Sequence, residues 1–178
     1  MSQINFEAKL SNIGSWTILR IPKSASAKLP SRGIVMVEGT INDYHFQREL
    51  EPDGKKSHWL QLNEKMLKGV GAEAGDTVSV TLEPSKEWPE PEIPKDLDNA
   101  LKTNSGAQKI WRDITPMARW DWIRWIRATK SAETRKIRIQ KTFSKFESGI
   151  RRPCCFNRTE CTIPEVSNKG ILLEPMHV

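Results

Sequence analysis

The segment Gly69–Glu83, GVGAEAGDTVSVTLE, constrains the chain most tightly. It predicts the end of a short helix, a Gly75-Asp76 turn, and a strand with Val78, Val80 and Leu82 on one face. Gly69, Gly71 and Gly75 read as helix stop and tight turn. They lack the Lys-Ser/Thr ending of a phosphate-binding loop, and Asp76 closes the turn through its side chain rather than binding a metal. A strand buried on one face needs neighbours.

The neighbours are legible upstream. Residues 3–10 alternate Ile4, Phe6, Ala8 and Leu10, and Ser15–Ile21 forms a second strand ended by Pro22, which can open a helical turn over Lys23–Leu29. Gly33–Thr40 and Tyr44–Leu50 form a hairpin across Ile41-Asn42-Asp43. EPDGKK (51–56) is an exposed loop, His58–Leu62 the next strand, and Asn63 the cap of a helix over Glu64–Val70. Short strands this closely spaced favour a small closed barrel over an open sheet.

Pro84–Pro94 holds four prolines, the composition of an extended spacer, within which Trp88 is expected to dock on a flanking part. Helical patterns follow over Lys95–Leu101, Ser105–Trp111, a third from Thr115-Pro116, and a fourth capped by Ser131 and ended at Gly149. The expected organisation is a barrel over 1–83, a linker over 84–94, a helical segment over 95–152 and a cysteine-containing tail over 153–178. The fold class is α+β, a small split β-barrel followed by a C-terminal helical segment.

Charge divides the chain along the same lines. Residues 1–87 hold 11 Lys+Arg against 11 Asp+Glu, whereas residues 88–153 hold 15 against 8, a net +7. The second section also holds five of the seven tryptophans. Such asymmetry suggests an acidic partner: nucleic acid, an anionic lipid surface or an acidic protein. No apolar run reaches the roughly 20 residues of a membrane span, and MSQINFEAKL lacks the apolar core of a signal peptide, so a cytoplasmic location is expected. Cys154, Cys155 and Cys161 are odd in number and match no familiar zinc spacing even with His177 nearby. No metal and no cofactor are expected.

Two strings, KLPSRGIVMVEGTIN and HWLQLNEKMLKGVGAEAGDTVSVTLE, resemble the barrel of a family of domains of unknown function, whose fold is similar to the AbrB-like double-split barrel. The string WIRWIRATKSAETRKIRIQKTFSKFESGIRRP resembles the YdeI/OmpD-associated, or bacteriocin-protection, family. Ala132 stands where that family often has proline, a change that a first helical position tolerates. The resemblance implies a bacterial role in protection against bacteriocins or antimicrobial peptides and supplies no catalytic residues. AbrB-like barrels include dimeric DNA binders, although fold does not imply function.

Candidate binding residues lie on the basic helices. At 100° per residue, Ala118, Trp122, Trp125, Ile126 and Thr129 gather on a core face of the third helix, and Trp120, Arg124 and Arg127 fall opposite. That face is either covered by packing or a stacking and phosphate-binding surface. In the fourth helix Ile139, Phe143 and Phe146 form the core stripe, with Arg138, Lys141 and Lys145 as a separate basic stripe able to track phosphates or anionic lipid. His45 and His58 lie in strands without the setting of a hydrolase triad. The leading expectation is a non-enzymatic binding protein, the second a nucleic-acid-binding transcriptional module. A third is a small-molecule-binding barrel, for which His58, Trp59 and Arg48 are weak candidates.

Overall fold

The computed structural model describes residues 3–153 and 163–175. Cys154, Cys155, Cys161 and His177 lie outside the described residues. The chain forms two compact units, one running to Glu87 and including the residues from Ile171, the other spanning Trp88–Gly170.

The first unit is a closed six-stranded barrel of order β1-β2-β5-β4-β3-β6. Its strands are β1 (Ile4–Ile13), β2 (Trp16–Arg20), β3 (Val35–Ile41), β4 (Tyr44–Pro52), β5 (His58–Leu62) and β6 (Thr77–Pro84). Each pairing is antiparallel, and two strands change partner along their length. The first part of β1 pairs with β6 and its end with β2; β4 pairs with β3 and then, through Glu51 and Pro52, with β5. These two strands close the sheet on itself and leave no long edge to attract another chain. Inside lie Leu10, Leu19, Val37, Ile41, Leu50, Leu60, Val78, Val80 and Leu82. The β3–β4 turn has positive φ at both Asn42 (46°) and Asp43 (68°), as a two-residue hairpin that matches strand twist requires.

The Gly69–Glu83 segment folds as its pattern predicts, with one shift. Helix α2 (Glu64–Val70) carries Asn63 as its cap, whose side chain accepts from Met66 N at 2.9 Å. The left-handed stop is Gly71 (φ 71°), whereas Gly69 lies inside the helix. Asp76 Oδ2 accepts from Glu73 N at 3.0 Å and closes the turn before β6. A shorter helix, α1 (Lys23–Ser26), follows Pro22.

The loop 51–56 is less exposed than its composition predicts. Asp53 is buried, and its carboxylate accepts from the backbone N–H groups of Lys55 (2.7 Å) and Ser57 (2.9 Å). The last strand, β8 (Ile171–Leu172), fastens onto this loop, with Leu172 N donating to Asp53 O at 2.9 Å. The other short strand, β7, is Ser167–Asn168.

The second unit contains α3 (Lys95–Lys102), α4 (Ser105–Asp113), α5 (Pro116–Arg127) and α6 (Ala132–Glu147). Asn104, Thr115 and Ser131 cap the last three, each accepting a backbone N–H three residues on. Leu97, Leu101, Trp111, Trp122, Ile123, Ile126, Ile139 and Phe146 form the core. Trp122 meets Phe146 edge-on at 5.4 Å and donates its indole N–H to Arg151 O at 2.9 Å. Among the described residues, no helix is long and apolar enough to cross a membrane.

Barrel closure leaves no room at Gly39, which pairs with Leu82 across β3 and β6. A Cβ there would stand 1.9 Å from Thr81 O and 2.8 Å from Leu82 Cα. Both are backbone atoms of the neighbouring strand, so relief requires prising the strands apart. Gly39→Ala is expected to destabilise the barrel by about 3 kcal/mol or more, read as a lower urea midpoint. An unchanged midpoint would show that the β3–β6 pairing yields freely.

Candidate functional site

On α5 the expected face of Trp120, Arg124 and Arg127 is largely occupied. Trp120 is half-buried: its indole N–H donates to Pro89 O at 2.9 Å, and its ring meets Trp88 edge-on at 6.2 Å. The linker tryptophan therefore docks on the helical unit, where offset or edge contacts of this kind add to simple burial. Arg124 is buried and Arg127 half-buried, and neither is free. Helical period alone puts these arginines opposite the core; packing covers both faces of the helix.

Arg119 is the buried charge that the pattern did not single out. Its guanidinium forms an ion pair with Glu90, donates to Trp111 O at 2.9 Å and also reaches Ile114 O. A signal existed, since Trp122, Ile123 and Ile126 at i+3, i+4 and i+7 are all apolar and buried.

The basic stripe of α6 divides in the same way. Arg138 sits over the Trp125 ring at 5.4 Å and donates to Trp125 O at 2.7 Å. It thus neutralises the negative end of α5 while stacking on an aromatic face. Lys141 is exposed and Lys145 half-buried. Among the described residues, neither forms an ion pair, nor do Lys130 and Lys136. Elsewhere in the unit Lys102 pairs with Asp98, Arg135 with Asp96, Arg151 with Asp113 and Arg152 with Asp121.

A groove of about 580 Å³ opens beside α6, between it and α3. Ala100, Ile139 and Phe143 give it apolar lining, and Lys130 and Lys136 add positive charge. Asp96 and Arg135 meet in it through paired bonds of 2.7 and 2.9 Å. The guanidinium's hydrogen bonds hold the Asp96 carboxyl below its usual pKa, with burial opposing, and the same bonds raise Arg135. Sequence reasoning had no handle on this groove, because its residues come from helices far apart in sequence.

The barrel holds a polar cluster that sequence reasoning also missed. Ser26 Oγ lies 2.6 Å from His58 Nδ1, and His58 Nε2 lies 2.8 Å from Gly33 O. A carbonyl only accepts, so Nε2 carries the proton and the Ser26 hydroxyl donates to Nδ1. Arg32 Nη1 donates to Ser26 Oγ at 3.2 Å, and its Nη2 to Ser26 O. Ser26 is 0% and His58 1% exposed. The pair resembles a nucleophile and its base, but no substrate reaches it; it pins α1 and its following loop to β5. Trp59 is buried as well, and Arg48 is drawn to Met66 Sδ (3.4 Å) and Glu49 (3.6 Å). Among the described residues, no group of three His, Cys, Asp or Glu could hold a metal ion.

The chain is thus a two-unit α+β protein, a closed barrel joined to a helical unit with a lysine-rich fourth helix. Residues 6–82 match the family model of a domain of unknown function (DUF1905). Residues 90–149 match the model described as Bacteriocin-protection, YdeI or OmpD-Associated. The two matches fall on the barrel and on the helical segment, the same two families that the sequence resemblance implied for them. No curated protein matches it.

Two outcomes test these local arguments. Burial pushes His58 below its ordinary pKa of 6.5; the Gly33 bond opposes this and Arg32 reinforces it. As pH falls, the unfolded chain therefore takes up the proton first, so stability is full above about pH 6.5 and declines below it, down to the folded-state pKa. Thermal melts from neutral to mildly acidic pH should show that decline, and His58→Gln should flatten it; an equal slope in the variant refutes the assignment. Arg138→Ala should cost about 1–2 kcal/mol in urea unfolding, with Arg138→Lys recovering only part; full recovery by lysine would mean that the planar stack contributes nothing.

Proposed function

We propose that this is a bacterial, non-enzymatic binding protein that serves in protection against bacteriocins or antimicrobial peptides by holding an acidic partner on α6. The observation that carries this reading is a run of four lysines that form no ion pair among the described residues, Lys130, Lys136, Lys141 and Lys145, on α6 and the turn leading into it. Lysines left in this state raise the local potential and attract anions, and a structural pairing does not consume their charge. The family of the helical unit supports the protective role. The inaccessible Ser26–His58 pair gives hydrolytic chemistry no foothold there.

Lys141 and Lys145 stand one helical turn apart and form the outer part of this surface. A fluorescent single-stranded oligonucleotide and vesicles rich in anionic lipid serve as probes at low ionic strength. At least one should bind, weaken steeply as salt rises, and lose about tenfold in affinity when Lys141→Glu and Lys145→Glu are combined. Absence of binding to either probe, or binding indifferent to both substitutions, would overturn the reading.

A further inference from the structure

We infer that the groove between α3 and α6 is a binding site for a small amphiphilic carboxylate, with the apolar body on Ala100, Ile139 and Phe143 and the carboxylate at Lys130 and Lys136. This site shares Lys130 and Lys136 with the proposed lysine surface but not its outer pair, Lys141 and Lys145, and the test below separates the two.

At about 580 Å³ the groove falls within the range of small-molecule sites, about 300–1,000 Å³. Its apolar side chains belong to two different helices, α3 supplying Ala100 and α6 supplying Ile139 and Phe143. An apolar ligand body placed there removes surface of both from water at once.

Charge decides which head group follows. Lys130, Arg135 and Lys136 stand against Asp96, so the lining carries a net +2. Arg135 has Nε and Nη2 committed to Asp96, and that pair makes a fixed wall. The two lysines form no ion pair among the described residues and remain for the ligand. Asn104 adds a donor: its Oδ1 accepts from Ala107 N at 3.0 Å as a helix cap, which leaves its amide N–H2 group for an incoming oxygen. An apolar body with a positive head would meet the lysines and be repelled. A doubly charged head would sit beside the Asp96 carboxylate, so a single negative charge fits best.

The intact protein can be titrated calorimetrically with decanoate, and with decylamine as the same chain bearing the opposite charge. Decanoate should bind saturably and raise the melting temperature, whereas decylamine should do neither. Lys130→Glu combined with Lys136→Glu should weaken decanoate at least about tenfold, and Ala100→Trp, which fills the groove, should abolish binding; circular dichroism shows that each variant is folded. Should the tryptophan variant unfold, the lysine pair alone decides. Equal binding of decanoate and decylamine, no saturable binding, or full affinity after both lysines are reversed would overturn the site. Decanoate binding that survives Lys141→Glu and Lys145→Glu supports it, and separates its fate from that of the outer stripe.

Discussion

A guanidinium withdrawn from water has to find acceptors for its N–H groups or leave them unsatisfied at considerable cost. In the helical unit that demand falls on Arg119, and much of the local arrangement follows from how it is met. Trp111 O and Ile114 O lie at the C-terminal end of α4, where carbonyls run out of intrahelical partners. Arg119 serves both, which fixes the short connection between α4 and α5. Its remaining edge holds Glu90, and the adjacent Trp120 holds Pro89 O. One buried cation and its neighbour thereby order the end of the linker as well as a helix junction. A lysine could not do this, since a point charge lacks the planar fork that reaches several acceptors in fixed directions.

Much of the backbone was legible because its signals are local. His58–Leu62 and Glu64–Val70 form as read, and Asn63, Thr115 and Ser131 each cap the helix assigned to them. Period-2 alternation located β6, and the Asn42-Asp43 turn located the β3–β4 hairpin. Boundaries slipped where tertiary pairing extends an element: β4 runs on to Pro52 because Glu51 and Pro52 find a second partner in β5. Asp53 was lost in an apparently exposed loop for a similar reason. Composition described the loop as polar, but two backbone N–H groups folded around the carboxylate and took it inside.

The polar clusters were illegible for a different reason. Ser26 and His58 are 32 positions apart, and Asp96 and Arg135 are 39 apart. Nothing in either local pattern announces the other partner. Helical projection placed Trp120, Arg124 and Arg127 away from the core correctly as geometry, but it cannot know what else packs against that face. Trp88 and Pro89 supply part of that cover. A wheel gives direction; burial belongs to the whole fold.

The same distinction changes what the positive charge means. Counted from sequence, residues 88–153 carry +7, as though every cation were equally available. In the folded unit the two basic residue types divide the work. Arg119, Arg135, Arg138, Arg151 and Arg152 are all bonded to carboxylates, carbonyls or a ring. Arg124 and Arg127 are not free either. Lysine, a compact and strongly hydrated charge on a flexible stem, gains little from such fixed partners. Among the described residues the one lysine paired within the unit, Lys102 with Asp98, lies one turn from its partner on an exposed face, where such pairs contribute a few tenths of a kcal/mol. Arginine, Arg112 on α4 excepted, therefore holds the unit together, and the lysines of α6 and its leading turn, with Lys95 and Lys109, keep their charge outside ion pairs among the described residues. The quantity that governs binding is this remainder after structural pairing, which net charge or isoelectric point alone does not report.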